Sequence, residues 1–386
     1  LIGAFHPRVG GGETHARLLA RELNALGVPT FVLTRRHERR LPPRDTVDGV
    51  PVRRIGPPGF PRLGKYLMIP GAVAALIRLR AEYDIIYVCA FRVLGVAGAL
   101  AARLAQKRLV LRAEACGEWS GAFIRGGRLP FLLRALLTLR NRLLRGADRF
   151  VAISSVAREE FRAGGIPERQ IACIPNGVDF TPFSPPDDVA RARLRTAFGL
   201  GDRFVFAYSG KLNRGKGLEL LLRVWKRVVP EYPRAHVLLI GGGGGQFLSC
   251  ENELRAFVAD NGLTDSVTFT GYTDRVADYL RAADAFVFPS ESESLPLALI
   301  EAMGCGLPAL ASNVGGIPDI ITDREDGRLI PPYDEDAWQA AIIDLMKNPA
   351  AASRWGRNAA ASVRRKFSIR EIAVQHRALF EAILET

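Results

Sequence analysis

Apolar residues in this chain of 386 alternate between two patterns. Short apolar runs occur at 28–34, 83–90, 108–114, 147–154, 203–210, 235–244, 266–272, 285–290 and 307–312. Runs of four to eight such residues, rich in Val, Ile and Phe, read as strands of a parallel sheet covered on both faces. Residues 1–5 read as the end of one more strand, and 170–179 close the first half. Between the runs, apolar positions recur at helical spacing: 13–26, a small-residue stretch ending near 105, 155–163, 217–229, 275–283, 295–306, 334–348, and two last helices at roughly 350–363 and 369–384. Helix 13–26 stops at Gly27 and helix 217–229 at Pro230. Helix 334–348 opens on acids and carries a Lys near its end, as the helix dipole favours.

This grammar is written twice, on either side of TPFSPPDD (181–188). Three prolines and a shift in composition mark that stretch as a linker. A chain of this length is long for one core. The expectation is an α/β protein with two Rossmann-like domains facing a cleft, residues 1–180 and 181–355. No apolar stretch is long enough to span a bilayer. No signal peptide is read. The chain opens on LIGAFHP without an initiator Met, so its first strand is expected to begin before Leu1.

Charge divides the halves. Residues 1–180 hold 29 Lys and Arg against 14 Asp and Glu, whereas 181–386 hold 24 against 26. A basic first half implies an anionic partner. Nucleic acid is disfavoured: no helix-turn-helix, RNP or zinc-finger pattern occurs, and aromatics do not interleave the arginines. Five scattered cysteines, none in CxxC, suggest neither a zinc centre nor a disulfide framework. They are expected in the core or lining a wall, in a reducing compartment.

The chemistry concentrates where strands end. In FVFPSESESLPLALIEAMGCGLPALASNVGGIP (286–318), Glu293 and Glu301 flank a loop and an apolar helix start. A helix N-terminus offers N–H groups to anions, and the acids accept from hydroxyls. The bland alternative is a dipole-stabilised acid plus a surface Glu, but Glu301 lies among Ile300, Ala302, Gly304 and Gly306 and is not expected to face plain solvent. SGKLNRGKG (209–217) is no P-loop, yet it puts Lys211, Arg214 and Lys216 between a strand and a helix, where cations suit a leaving diphosphate or are simply solvated. Gly10-Gly11-Gly12 follow the first strand, either because a turn needs positive φ or because backbone approaches a phosphate. The GxGxxG spacing and an acid after the second strand are missing, which disfavours a nicotinamide enzyme. Five glycines at 241–245 suit close packing or a flexible loop. PNGVD (175–179) reads as a structural tight turn, and Asp334-Glu335-Asp336 as a helix cap.

These residues resemble retaining glycosyltransferases of the GT-B fold, glycosyltransferase family 4, over nearly the whole chain. That family's acid, seven residues, acid hallmark is matched as Glu293-SLPLALI-Glu301. The resemblance implies that Glu293 bonds hydroxyls of the transferred sugar and Glu301 the ribose. It puts Lys216 on the diphosphate, with Lys211 where arginine is usual. Gly12 with Gly11 would lie near the outer phosphate. Gly210, Gly242 and the loop Ser294, Leu295 and Leu297 would complete the donor site, Pro296 having no N–H to give. It also implies that residues 1–180 form the acceptor side, that residues 181–355 bind the nucleotide sugar, and that residues 356–386 cross back onto the first domain. Two departures stand out. Ser294 replaces a glycine. LVLRAEACGEWSG (109–121) lacks the family's histidine, leaving Arg112, Glu114, Glu118 or a backbone carbonyl for that role. His6 and His15 are the histidines near the first loop, and His15 reads as helix surface.

The stretch 121–149 strews Arg125, Arg128, Arg134, Arg140, Arg142 and Arg145 among Phe and Leu. It reads as a membrane-surface segment or as a solvated helix with a Leu core face. The implied activity is transfer of a sugar from a nucleoside diphosphate sugar, UDP- or GDP-linked, to a saccharide or lipid-linked saccharide acceptor. Cell-envelope, exopolysaccharide or glycolipid synthesis is the setting, in the cytoplasm and peripherally on the inner membrane face. Catalysis would rest on Glu293, Lys216 and Lys211, with no permanent cofactor and no required metal. The alternatives are an epimerase or phosphorylase of the same fold, or a sugar-nucleotide-binding membrane-surface protein without turnover.

Overall fold

The computed structural model describes residues 1–8, 10–59, 63–121, 131–244 and 248–385. It divides into two compact units, Leu1–Gly177 with Ile369–Thr386, and Val178–Ser368. The first unit runs α1 (Gly11–Ala25), β1 (Val32–Arg35), β2 (Arg44–Val47), β3 (Val50–Ile55), α2 (Gly64–Arg78), β4 (Ile85–Cys89), α3 (Phe91–Ala105), β5 (Arg108–Arg112), α4 (Phe131–Leu144), β6 (Arg149–Ala152), α5 (Ser155–Ala163) and β7 (Ile171–Cys173). Strands β4-β5-β6-β7 form a parallel sheet, and β1-β3-β2 a mixed one. The chain start joins them: Ile2 bridges Thr34 of β1, and the Leu1 carbonyl accepts from Cys89 N of β4. The strand expected at 1–5 is therefore reduced to this bridge.

The second unit runs α6 (Asp188–Ala197), β8 (Phe204–Ser209), α7 (Leu218–Val228), β9 (Ala235–Ile240), α8 (Glu251–Asp260), β10 (Val267–Gly271), α9 (Val276–Ala282), β11 (Ala285–Phe288), α10 (Leu297–Gly304), β12 (Ala309–Ser312), β13 (Gly327–Ile330), α11 (Glu335–Lys347) and α12 (Pro349–Phe367). Its six strands form one parallel sheet ordered β10-β9-β8-β11-β12-β13. Every residue of β9, β11 and β12 is buried, as both-face coverage demands. The last helix, α13 (Ile369–Leu384), returns to the first unit and packs on α1. The crossing falls at Ser368–Ile369, so residues 356–367 of α12, which were expected to cross, stay with the second unit.

The proline-rich stretch at 181–188 is folded rather than strung out. Phe180 and the Phe183 carbonyl press on Gly304, Pro185 packs against Gly306, and Arg364 stacks on Phe180 at 5.3 Å. Asp187 caps α6 through Ala190 N at 2.7 Å. The unit boundary instead lies at Gly177–Val178. Cys89, Cys250 and Cys305 are buried, Cys116 is half-buried, and Cys173 is exposed against the expectation of enclosure. As expected, Asp334 caps α11, accepting from Ala337 N at 2.9 Å. No helix among the described residues is long and apolar enough to cross a membrane.

Candidate active site

The carboxyl ends of β8, β9 and β11 gather the second-half residues singled out by the sequence. Strand β8 delivers Gly210 and Lys211. Its Tyr208, fully buried and stacked on Phe288, donates its hydroxyl to the Lys211 carbonyl at 3.0 Å and so fixes the loop's exit. Burial pushes the Tyr208 phenol well above its usual value, and the nearby Glu293 charge adds to this. At the end of β9, a Cβ on Gly241 would run into the Gly210 carbonyl, so the two glycine turns touch. Gly242 accepts from Leu212 N at 3.3 Å. Gly245, the last of the five glycines, lies outside the described residues.

Lys216 and Glu293 meet directly, with Nζ to Oε1 at 2.6 Å. Two backbone constraints hold the pair. Gly217 caps α7 at φ +69°, and a Cβ there would collide with the Pro289 carbonyl. Gly315, at φ +54°, abuts the Glu293 carbonyl in the same way, while Gly316 N donates to that carbonyl at 3.2 Å. Only glycine suits these two positions. Ser290 Oγ donates to Glu293 Oε1 at 2.8 Å. Pairing thus leaves Glu293 oriented before any ligand arrives, a detail that spacing alone does not reveal.

Helix α10 begins at Leu297 after Pro296, with no side-chain cap. Ser294 and Leu295 precede it. One turn in, Glu301 is half-buried, and its carboxylate has no hydrogen-bond partner among the described residues. Burial raises it to about 7. Lys211 is exposed and forms no ion pair among the described residues. Arg214 is not available in the same way: Glu253 of α8 takes it at 2.8 Å. The arrangement joins lysine charge, glycine turns and the Glu293 carboxylate, and the chain runs from Glu293 into the start of α10, which carries Glu301. Such a set suits a phosphorylated, hydroxyl-rich ligand.

In the first unit, Gly11 and Gly12 open α1. Neither has positive φ, and neither does Gly10, the extended N-cap. The requirement at Gly12 is space, because a Cβ there would meet the Glu114 carboxylate. Arg112 is 1% exposed and bonds Glu114 at 2.8 Å and the Asn176 side chain. Glu118, held by the amides of Glu114 and Ala115, is pushed by burial to about 7. His15 is a correction. It lies on the buried face of α1, 0% exposed, and accepts from Gly177 N at 3.0 Å. Leu18 and Leu19, three and four residues on, share that face and were the available signal. His6 is exposed. Arg125 and Arg128 lie outside the described residues.

The matches to known proteins agree with this geometry. Residues 174–362 match the family described as "Glycosyl transferases group 1", and residues 9–181 the one described as "Glycosyltransferase Family 4". D-inositol 3-phosphate glycosyltransferase 1 of Catenulispora acidiphila is 30% identical, over 88% of this chain and 83% of its own length. A GDP-mannose-dependent alpha-(1-6)-phosphatidylinositol monomannoside mannosyltransferase of Mycolicibacterium smegmatis is 29% identical, over 75% of each. Sucrose-phosphate synthase of Thermosynechococcus elongatus has a similar structure, with TM-score 0.83, 26% identity, and coverage of 98% of this chain and 94% of that one. With a parallel Rossmann-like sheet in each unit and both halves matched, the chain belongs to glycosyltransferase family 4, the group 1 glycosyltransferases of the GT-B fold, and is a glycosyltransferase.

Proposed function

We propose that this enzyme moves a glycosyl group, with retention at the anomeric carbon, from a nucleoside diphosphate sugar to a hydroxyl of a saccharide or lipid-linked saccharide. The donor is held by the second unit. Lys216 and Lys211 take the diphosphate, which the turns at Gly210 and Gly242 admit closely. The Ser294, Leu295 and Leu297 amides face it from the start of α10. Glu293 bonds sugar hydroxyls and Glu301 the ribose. In the first unit, the start of α1 at Gly11 and Gly12 is the phosphate-binding element. As the anomeric C–O bond breaks, negative charge grows on the departing diphosphate, where the lysines stabilise it. The acceptor hydroxyl attacks from the same face, and its proton passes to that diphosphate oxygen. Glu293 positions the sugar and is not the nucleophile.

The observation that carries this reading is the 2.6 Å Lys216–Glu293 pair. A cation and a carboxylate acceptor side by side are what a sugar diphosphate calls for, which supports these roles. Glu293→Ala is expected to lower kcat/KM at least about 100-fold with UDP-glucose or GDP-mannose while shifting the urea midpoint little, since one oriented group in a site is worth about 3–4 kcal/mol. Full activity in that variant sinks the proposal. Thermal shifts with UDP, GDP and their sugars identify the base, because a ligand selective for the folded state raises the transition. Product formation without acceptor points to an epimerase, and a requirement for inorganic phosphate to a phosphorylase.

Peripheral attachment at the inner face of the cell membrane accompanies this reading. On α4, Leu136 and Leu139 are exposed beside exposed Arg134 and Arg142, an interfacial pattern. Arg140 is not part of it, because it bonds the Glu118 and Trp119 carbonyls. Leu136→Ser with Leu139→Ser is expected to abolish co-sedimentation with phosphatidylglycerol vesicles. Undiminished co-sedimentation removes α4 as the anchor.

A further inference from the structure

The first unit contains a buried arginine that none of the described residues pairs. Arg35 ends β1 and is 5% exposed. Its Nε is enclosed without a hydrogen-bond partner, and no ion pair reaches its guanidinium among the described residues. Two residues on, His37 is 8% exposed, and both of its ring nitrogens are enclosed and unpartnered. Arg54 is the contrast. It is buried to the same 5%, but Asp45 accepts from it at 2.8 Å, the His6 carbonyl at 3.2 Å and the Pro42 carbonyl at 3.3 Å. Among the described residues, Arg54 is therefore paired and Arg35 is not. An enclosed donor without an acceptor destabilises the fold until an anion supplies one.

The surroundings indicate what is missing. A Cβ on Gly64, the first residue of α2, would run into the Arg35 guanidinium. The fork therefore lies against the opening turn of a 15-residue helix whose N-cap, Leu63, supplies no side-chain cap. First-turn amides and the helix dipole favour an anion at that place. Arg8 is exposed and close enough for its charge to press on both Arg35 and His37.

We propose that Arg35, His37 and Arg8, with the opening turn of α2, form a subsite for a phosphomonoester carried by the acceptor. The inference rests on the reading that the first unit receives the acceptor. A planar guanidinium matches two phosphate oxygens at once, and two arginines balance a dianion. Burial and the charges of Arg35, Arg8 and Arg54 hold the empty site's His37 down to about 4, against the opposing pull of Glu38. A bound dianion raises it. Binding then takes up a proton between the two values and tightens as pH falls from the bound-state value toward about 4.

Calorimetric titration of the full chain with inorganic phosphate, inositol 3-phosphate and myo-inositol tests this. The two phosphates are expected to bind, and myo-inositol to bind at least 10-fold more weakly than its phosphate. Arg35→Met weakens both phosphates at least 10-fold, and Arg35→Lys weakens them less. His37→Gln removes the proton uptake that accompanies binding at the imidazole, leaving only the pH dependence of the ligand's own second ionisation, about pH 6 for a phosphomonoester. Arg8→Gln, at an exposed position, gives the same direction of effect should Arg35→Met fold poorly. The His37 ring resonances shift on adding phosphate. Unchanged UDP or GDP thermal shifts in Arg35→Met, and phosphate binding retained in Lys216→Ala, separate this subsite from the donor reading. Equal phosphate affinity in wild type, Arg35→Met and Arg8→Gln overturns the proposal, as does absence of phosphate binding. Equal affinity for inositol and its phosphate reduces the site to an adventitious anion site and also overturns it.

Discussion

Glu301 shows how far one residue's setting is readable from its neighbours. Ile300 and Ala302 beside it are fully buried, and the helix has no polar side chain to offer the carboxylate. The folded protein consequently holds this proton more tightly than the unfolded chain does, about 7 against 4.5. As pH rises past 4.5 the unfolded form loses its proton first, so stability falls until the folded group ionises near 7 and is level above that. Glu301→Gln is expected to be more stable than wild type by about 2 kcal/mol at pH 8, with the difference gone by pH 4. Urea unfolding at pH 4, 6 and 8 measures this, and a constant difference across the series refutes it. The same variant is expected to bind nucleoside diphosphates about 10-fold more weakly, the scale of a lost hydrogen bond to a charged group. The apolar neighbours were visible in the sequence. What was not visible is which residues reach Glu293, since Lys216 and Ser290 come to it through loop geometry.

Elements depend on what the backbone allows at their ends. Helix α7 starts at Gly217 in left-handed conformation, hard against the Pro289 carbonyl. Gly217→Ala adds both a conformational cost and a collision, so a loss of about 2–3 kcal/mol in urea unfolding is expected, with activity lost as Lys216 moves off Glu293. An unchanged midpoint shows that the β11 loop yields freely. Most buried strands were legible because both-face burial writes an unbroken apolar run. The β2–β3 hairpin was not, as its six-residue second strand alternates and carries Pro51 and two arginines. Helix α6 has no buried residue at all and so writes no apolar stripe, whereas α2 is apolar at most positions and carries Pro70, so its buried Met68, Ala72 and Leu76 do not stand out in the sequence.

For the whole molecule, α13 is the decisive piece. Ile372 and Ile383 are fully buried in the first unit, Ile369 is nearly so, and Ala373 and His376 add to that face. His376 Nε2 lies 2.9 Å from the Tyr87 hydroxyl of β4. Burial of three isoleucines at about 2 kcal/mol each is comparable with the whole stability of a domain, about 5–15 kcal/mol. A chain ending at Ser368 is expected to lose the cooperative melting transition of the first unit. The second unit should keep its own transition and its stabilisation by UDP or GDP. Calorimetry with limited proteolysis measures both, and two unaltered transitions refute it.

The sequence by itself determined the two parallel sheets, the repeated α/β grammar and the acids and lysines at the strand ends of the second half, because buried strands and helix-starting loops impose local residue patterns. Tertiary structure decided what local pattern cannot encode. It placed the crossings at Gly177–Val178 and Ser368–Ile369, folded the proline-rich stretch onto the second unit and buried His15. Among the described residues, it also paired Arg54 and not Arg35. Each of these outcomes depends on which distant surfaces meet, and so on burial and charge balance that no stretch of the sequence carries alone.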